Sequence, residues 1–369
     1  MPGTLRVNPC AAVPDAPMLS RNEEGQGMFK QLLLAAFAAA APAIATAQSM
    51  ATAGPTLAAV RARDVLVCGT STGAAGFSMP DSRGEYRGID NDLCRALAAA
   101  VLGDPTKIRW VPLTTQARLP ALQSGQVDVL IRTTTWTHVR DTANGLNFTA
   151  VNFYDGQGFL VNRRLGVQRA TDLNGASICV VAGSTNELNL ADWARTNRIQ
   201  YSPVVFEQND EARRSYIAGR CDAYSTDASQ LAGLRSTFVN PNDHVILPEI
   251  ISKEPHSPVV RHGDDQWFDI VRWTFFALLI AEENGITAAN AEGFLRSENP
   301  EIRRLLGNSG DHGPMMGLDR RWAYNAIRAA GNYSEIFERN LGRGSAIGLP
   351  RGLNGLWNQG GLMYAPPIR

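Results

Sequence analysis

The chain has 369 residues, enough for two domains that each bury a core. Its 35 Lys and Arg balance 35 Asp and Glu, so no excess charge marks a nucleic-acid-binding protein or one drawn to an anionic membrane. With 44% hydrophobic and 19% charged residues, the composition is globular and excludes a disordered chain.

The first 27 residues carry no pattern that suits a leader. From Met28 the chain reads as a secretory signal peptide: Lys30, a short apolar run over 32–41, then Ala45-Thr46-Ala47, with cleavage expected after Ala47. The run is too short to span a bilayer. The expectation is that Met28 is the true start, residues 1–27 a mis-called extension, residues 28–47 the leader, and the mature protein exported.

Export bears on the cysteines. Cys10 falls in the discarded segment, which leaves Cys68, Cys94, Cys179 and Cys221. No close Cys-x-x-Cys spacing argues for a metal, and an oxidising compartment favours pairing. Three pairings are open, with four buried free thiols as the alternative. Cys68 falls at the end of a predicted strand and Cys94 in the next helix, while Cys179 and Cys221 border strands of the second half. That placement favours Cys68–Cys94 and Cys179–Cys221, each contributing about 3 kcal/mol.

After a short Ala/Gly linker, strands and helices alternate. A strand is expected over 65–67. Asp90 can cap a helix whose apolar residues Leu93, Leu97, Ala100 and Val101 recur at helical spacing up to Gly103. A strand over 108–111, a helix over 116–124 and a strand over 127–131 follow. The pattern restarts with a strand over 177–181, and Ser184-Thr185-Asn186-Glu187 is a capping box opening a helix that runs through Trp193. Strands over 204–206 and 223–225 flank a helix over 211–218. A short helix starts near Ala228, and 244–247 is a further strand. Such alternation predicts parallel, doubly wound α/β sheets in two lobes. From Trp267 the tail reads as almost wholly helical. The apolar stretch 267–283 is interrupted by Asp269 and Arg272, so it is expected to be a core helix and not a membrane span.

The segment 128–141, DVLIRTTTWTHVRD, places Thr133, Thr134 and Thr135 just past a strand, with Arg140 five residues beyond Thr135. Hydroxyls and free amides at a strand end, beside an Arg fork, can grip a carboxylate at the crevice of an open sheet. Ser184 and Thr185 open a helix, where free N–H groups and the helix dipole favour an anion. Asp227 lies at the carboxyl end of a strand; alone it reads as a helix cap. Together these groups suit a zwitterion, its carboxylate on Arg and N–H groups and its ammonium on Asp227.

Enzymatic signals compete poorly. Gly69-Thr70-Ser71-Thr72-Gly73 formally matches a nucleophile elbow, and an exported serine hydrolase using Ser71 is the alternative it raises. The Gly-, Pro- and polar-rich stretch after Ser71 reads as loop, where the elbow needs a helix. The histidines show no H-E-x-x-H spacing, and there is no G-x-x-x-x-G-K-[ST].

An ordered series of motifs then carries a resemblance: VLVCG, GIDNDLCRALAAAVLGD, PALQSGQVDVL, TTTWT, GLNFT, FYDGQGF, GRCDAYSTD and LPRGLNGLWNQGGLMYAPPIR. From about Arg61 to Arg369 the chain resembles the periplasmic substrate-binding proteins of polar amino-acid ABC transporters, in the general L-amino-acid-binding branch. The resemblance implies a type II periplasmic binding protein: two α/β lobes joined by two crossovers, here near 156–161 and 250–254, with a helical C-terminal extension. Lobe one would comprise 60–157 and 253–369, and lobe two 158–252. Gly156 and Gly158 suit a hinge.

The resemblance further implies that Arg140 binds the ligand α-carboxylate with Thr135, Ser184 and Thr185, and that Asp227 binds the ammonium with the Thr133 carbonyl. A wall is expected from the loop 71–77, and side-chain contacts from Arg118, Arg132 and Trp136. Ser71 and Ala74 are small where narrower relatives carry an acid and an aromatic ring, which favours a roomier pocket. Val181 and Ala182 replace polar residues found upstream of Ser184 in relatives. The implied protein is a monomeric receptor without cofactor, metal, catalysis or nucleic acid. It captures L-amino acids, acidic ones included, and delivers them to an inner-membrane permease. A dehydratase-like enzyme on the same scaffold would need a buried Glu or His facing the ligand.

Overall fold

The computed structural model describes residues 53–369. The signal peptide, the start-site assignment and Cys10 lie outside the described residues.

Strands and helices follow one another in the order expected, with several short elements added. Helix α1 (Pro55–Arg63) occupies the stretch read as linker. It forms because Pro55 presets the first turn and Asp264 accepts the Thr56 N–H at 2.9 Å. Strand β1 (Leu66–Ser71) is fully buried. The ribbon β2 (Met79–Pro80) and β3 (Tyr86–Arg87) leads into α2 (Ile89–Leu102). Then come β4 (Ile108–Leu113), α3 (Arg118–Gln123), β5 (Val129–Leu130), α4 (His138–Thr142) and β6 (Leu146–Phe148).

The chain crosses on β7 (Phe153–Asp155) into β8 (Gln157–Asn162), β9 (Ser177–Val181), α5 (Thr185–Asn197), β10 (Ser202–Phe206), α6 (Asn209–Ile217), β11 (Ala223–Asp227), α7 (Ala228–Ser236) and β12 (His244–Ile246). It returns on β13 (Glu254–His256) to β14 (Val259–Arg261) and α8 (Asp265–Glu283).

Two five-stranded sheets result, ordered β4-β1-β5-β14-β6 and β10-β9-β11-β8-β12. Three strands of each sheet are parallel, as alternation predicts, while β14 and β6 in the first and β8 and β12 in the second are joined antiparallel. The sheets are therefore mixed and not wholly parallel. The physical cause lies in the crossovers: β8 and β14 are the strands on which the chain enters each lobe from its partner, so they run against their neighbours.

β7 and β13 pair antiparallel, Asp155 opposite Glu254 and Phe153 opposite His256. Residues 157–161 belong to the second sheet, so the first crossover lies just before the expected segment. Gly156 has no positive φ. It is needed because a Cβ there would stand 2.3 Å from Ile250 Cγ2 and 2.8 Å from the Ser252 carbonyl, where the two crossovers meet. That is close approach, not a special backbone angle.

Cys68 is bonded to Cys94 and Cys179 to Cys221, with Cα separations of 6.5 and 5.6 Å, each within its own lobe as expected. Cys68 is the third residue of β1 and not its end. Gly88, not Asp90, caps α2. α8 is a core helix, with Trp267, Ile270, Leu278 and Ile280 buried, and among the described residues no helix is long and apolar enough to cross a membrane. The tail is helical to Asn340, but beyond Leu341 it runs in irregular segments with two 3-10 turns, Gly352–Asn354 and Trp357–Gln359. Its Gly- and Pro-rich sequence cannot sustain longer helices.

Candidate ligand-binding site

The carboxyl ends of β5, β9 and β11 converge on a cleft between the lobes, where an open α/β sheet places its ligand. A narrow cavity of about 20 Å³, room for little more than one water molecule, lies there. The first lobe contributes Arg118, Arg132, Thr133 and Thr135; the second contributes Ser184, Thr185, Asn186 and Asp227.

Local geometry explains how these side chains are presented. After β5 the backbone turns sharply and Thr133 takes φ +41, a left-handed conformation that a β-branched residue adopts only under constraint. The constraint is Asp90: its carboxylate accepts the Thr133 N–H at 3.0 Å from the first turn of α2. Ser184 caps α5, accepting from the Glu187 N–H at 3.1 Å and donating to the Val181 carbonyl at 2.6 Å. The Glu187 carboxylate accepts from Gly183 and not from Ser184, so the capping box is shifted by one residue. The Thr185 and Asn186 N–H groups stand in the first turn, which intrahelical bonds cannot satisfy.

Asp227 makes no capping bond to α7. Its carboxylate accepts from Asn186 Nδ2 at 2.9 Å and Gln230 Nε2 at 2.6 Å, and faces His256 Nε2 at 3.0 Å. Burial works to raise its pKa, but His256 and the two amides hold it below the ordinary carboxylate range. Burial acts to discharge His256, yet Asp227, Asp155 and Asp90 raise its pKa. Asp155, pushed up to about 7 by burial and by Asp227, completes the cluster; Ser229 donates to it. The Asp155–Asp227–His256 group could hold a metal by distance. His256 and Asp227 are instead turned on each other as an ion pair.

The other wall is cationic. Arg118 and Arg132 are 4% and 3% exposed, and Arg118 Nε with Arg132 Nε and Nη1 have no hydrogen-bond partner among the described residues. Burial and mutual repulsion hold the Arg118 pKa well below its ordinary value, and burial brings Arg132 down to about 10 against the pull of Asp90. Buried guanidiniums left unpaired are costly unless something anionic joins them.

Other expected site residues lie differently. Arg140 is buried behind the cavity wall, one arm donating to the Thr135 carbonyl at 3.0 Å. Trp136 is 37% exposed and stacks on Phe148 outside the cavity. Ser71 is buried at the end of β1, and its hydroxyl accepts only from the Gly73 N–H at 3.3 Å. The loop beyond it has no helix and no histidine at Ser71, so the nucleophile elbow does not form. Instead Thr72, Gly73, Ala74 and Ala75 line a second, outer cavity of about 330 Å³, which shares Asn209, Thr226 and Gln230 with the inner one.

Glu254 and His256, absent from the expected site, are fully buried at the crossover. Neither lines the inner cavity. No local pattern marks them, because their partners Thr135, Thr185 and Asp227 lie far off in sequence; only the charges in a predicted crossover could have drawn notice.

A two-lobed α/β protein with a polar interlobe cavity is the architecture of a solute-binding protein. The chain belongs to the bacterial extracellular solute-binding proteins, family 3, whose model matches residues 66–304. It is 54% identical to the general L-amino acid-binding periplasmic protein of Rhizobium johnstonii over 93% of this chain and all of that one. It is 56% identical to the glutamate/glutamine/aspartate/asparagine-binding protein of Rhodobacter capsulatus, over 89% of this chain and 97% of that one. A solved ABC transporter periplasmic binding protein from Brucella ovis, with glutathione bound, is 55% identical and superposes with a TM-score of 0.84, covering 86% of this chain and all of that one.

Proposed function

We propose that the protein is a periplasmic receptor that captures L-amino acids, acidic ones among them, by lobe closure and delivers them to an inner-membrane ABC permease. The observation that carries the acidic preference is the pair of buried, unpartnered guanidiniums on one side of the cavity and the ionised Asp227 on the other. An α-carboxylate would be held by the first-turn amides of α5, with Arg140 supplying positive charge from behind the Thr135 wall, the ammonium by Asp227 and the Thr133 carbonyl, and a second carboxylate by Arg118 and Arg132. Charge-assisted bonds of this kind contribute about 1.5–3 kcal/mol each before desolvation is subtracted. Contacts divided between lobes give the closed form its higher affinity.

Two relatives are named for general L-amino acids and for glutamate, glutamine, aspartate and asparagine, which supports this reading. The glutathione of the Brucella structure and the open outer cavity here support admission of longer glutamate derivatives as well. Catalysis finds no support: His256 is committed to Asp227, Glu254 to four donors, and neither lines the cavity. The antiparallel crossovers β7 and β13 support a discontinuous lobe one, with its first limit before Gln157.

The test is a thermal-shift panel on the refolded, ligand-stripped protein. L-Glutamate and L-aspartate should raise the melting temperature most, the amides less, and D-glutamate not at all. Equal shifts by lysine and glutamate would remove the acidic preference.

A further inference from the structure

Glu254 has no exposed surface, yet among the described residues no cation lies within ion-pairing distance of it. Four neutral donors fill its carboxylate instead. Oε2 accepts from Thr135 Oγ1 at 2.5 Å and Thr185 Oγ1 at 2.7 Å. Oε1 accepts from Asn189 Nδ2 at 2.6 Å and Ser252 Oγ at 2.8 Å. Thr135 comes from the first lobe, Thr185 and Asn189 from α5 of the second, and Glu254 itself from the crossover strand β13. The two threonine hydroxyls also stand 3.3 Å apart across the cleft. A carboxylate thus sits between the lobes, on hydroxyls that a ligand carboxylate could otherwise use.

We infer that Glu254 is a tethered carboxylate that joins the lobes in place of a ligand carboxylate, so that the closed arrangement is populated before the ligand arrives. Glu254 is then a positioning residue for binding. It does not touch the ligand; it sets the fraction of molecules whose lobes are already together. Apparent affinity scales with that fraction, because a receptor found only part of the time in its competent form binds more weakly in proportion. Thr135 and Thr185 belong to this latch, and the ligand is left the cavity's Arg, Asp and backbone groups. The inference rests on the receptor reading for its effect on affinity, but not for its effect on shape.

The experiment is small-angle scattering on the wild type, Glu254→Gln and Thr185→Val, each without ligand and with saturating L-glutamate, alongside calorimetric affinities. Thr185→Val conserves shape and removes a single latch hydroxyl, so it remains informative where the buried Glu254→Gln change perturbs folding. The expected result is a ligand-free wild type whose radius of gyration is close to its liganded value. Both variants should expand without ligand, contract on adding it, and bind about tenfold more weakly. Ligand-free variants as compact as the wild type, or a ligand-free wild type as expanded as the variants, would overturn the latch. If L-glutamate binds to none of the three, the receptor reading fails, while the ligand-free shapes still decide the role of Glu254.

Discussion

Asp90 holds Thr133 in its left-handed turn through one hydrogen bond, carboxylate to backbone N–H, at 3.0 Å. That bond orders the cavity rim, because Thr133 follows Arg132 and precedes Thr135 by two residues, and all three line the inner cavity. Replacing Asp90 by Ala should release the turn. The lost buried bond should cost about 1–3 kcal/mol of stability, and binding should weaken even though Asp90 does not line the cavity. Chemical denaturation and calorimetry on the same variant would measure both; undiminished affinity would show that the turn holds without Asp90.

The buried acids set a pH dependence with a definite sign. Burial raises Asp90 to about 6 and Asp155 to about 7, so the folded state binds protons there that the unfolded chain has released. Stability from these groups is fully present below about pH 4 and is lost as pH rises through their folded values. His256, also raised, acts in the same direction above its ordinary value. Asp227, lowered, acts oppositely and only in acid, losing its contribution as pH falls through its folded value. The melting temperature should therefore fall between pH 5 and 8, and Asp155→Asn should flatten that slope. A wild-type melting temperature that rises over this window would contradict the assignment.

Arg118→Gln should separate charge from space. The substitution leaves a polar side chain two atoms shorter and removes one unpaired cation from the wall, so the comparison of a charged with a neutral ligand of equal size isolates the charge. Affinity for L-glutamate should drop about tenfold or more, an effect near 1.4 kcal/mol, while affinity for L-glutamine changes far less. Titration of both ligands measures the difference; equal losses would mean that Arg118 only shapes the cavity.

The C-terminal tail straps the hinge. Asn354 accepts the Tyr154 N–H at 2.7 Å and donates to the Tyr154 carbonyl at 3.0 Å, completing the open edge of crossover strand β7. Asn354→Ala should cost about 1–3 kcal/mol by leaving those backbone groups unpaired. Denaturant unfolding would report it, and an unchanged midpoint would show that water replaces the side chain there.

Parts of this arrangement are legible from sequence because the signal is local. The Ser184 cap, the α8 core helix and the parallel strands around β1 and β9 all follow from periodicity and punctuation within a dozen residues. Other parts depend on partners far along the chain. β6 and β14 are three-residue strands with no alternation to show, recognisable only once Val259 lies opposite Phe148. Asp90 reads as a helix cap because acids gather in first turns, yet its carboxylate serves a loop 43 residues away. Trp136 and Ser71 sit within promising motifs, but stacking on Phe148 takes the first out of the cavity and the end of β1 buries the second.

The most direct measurement is a calorimetric titration of L-glutamate into the refolded wild type and into Asp227→Asn. Asp227 lines the inner cavity with its pKa held low, and in the proposed reading it would supply the negative charge that the ammonium of a bound amino acid meets. Saturable one-to-one binding to the wild type, and its loss in a variant that stays folded, is the expected result. Binding of equal strength to both proteins would contradict it.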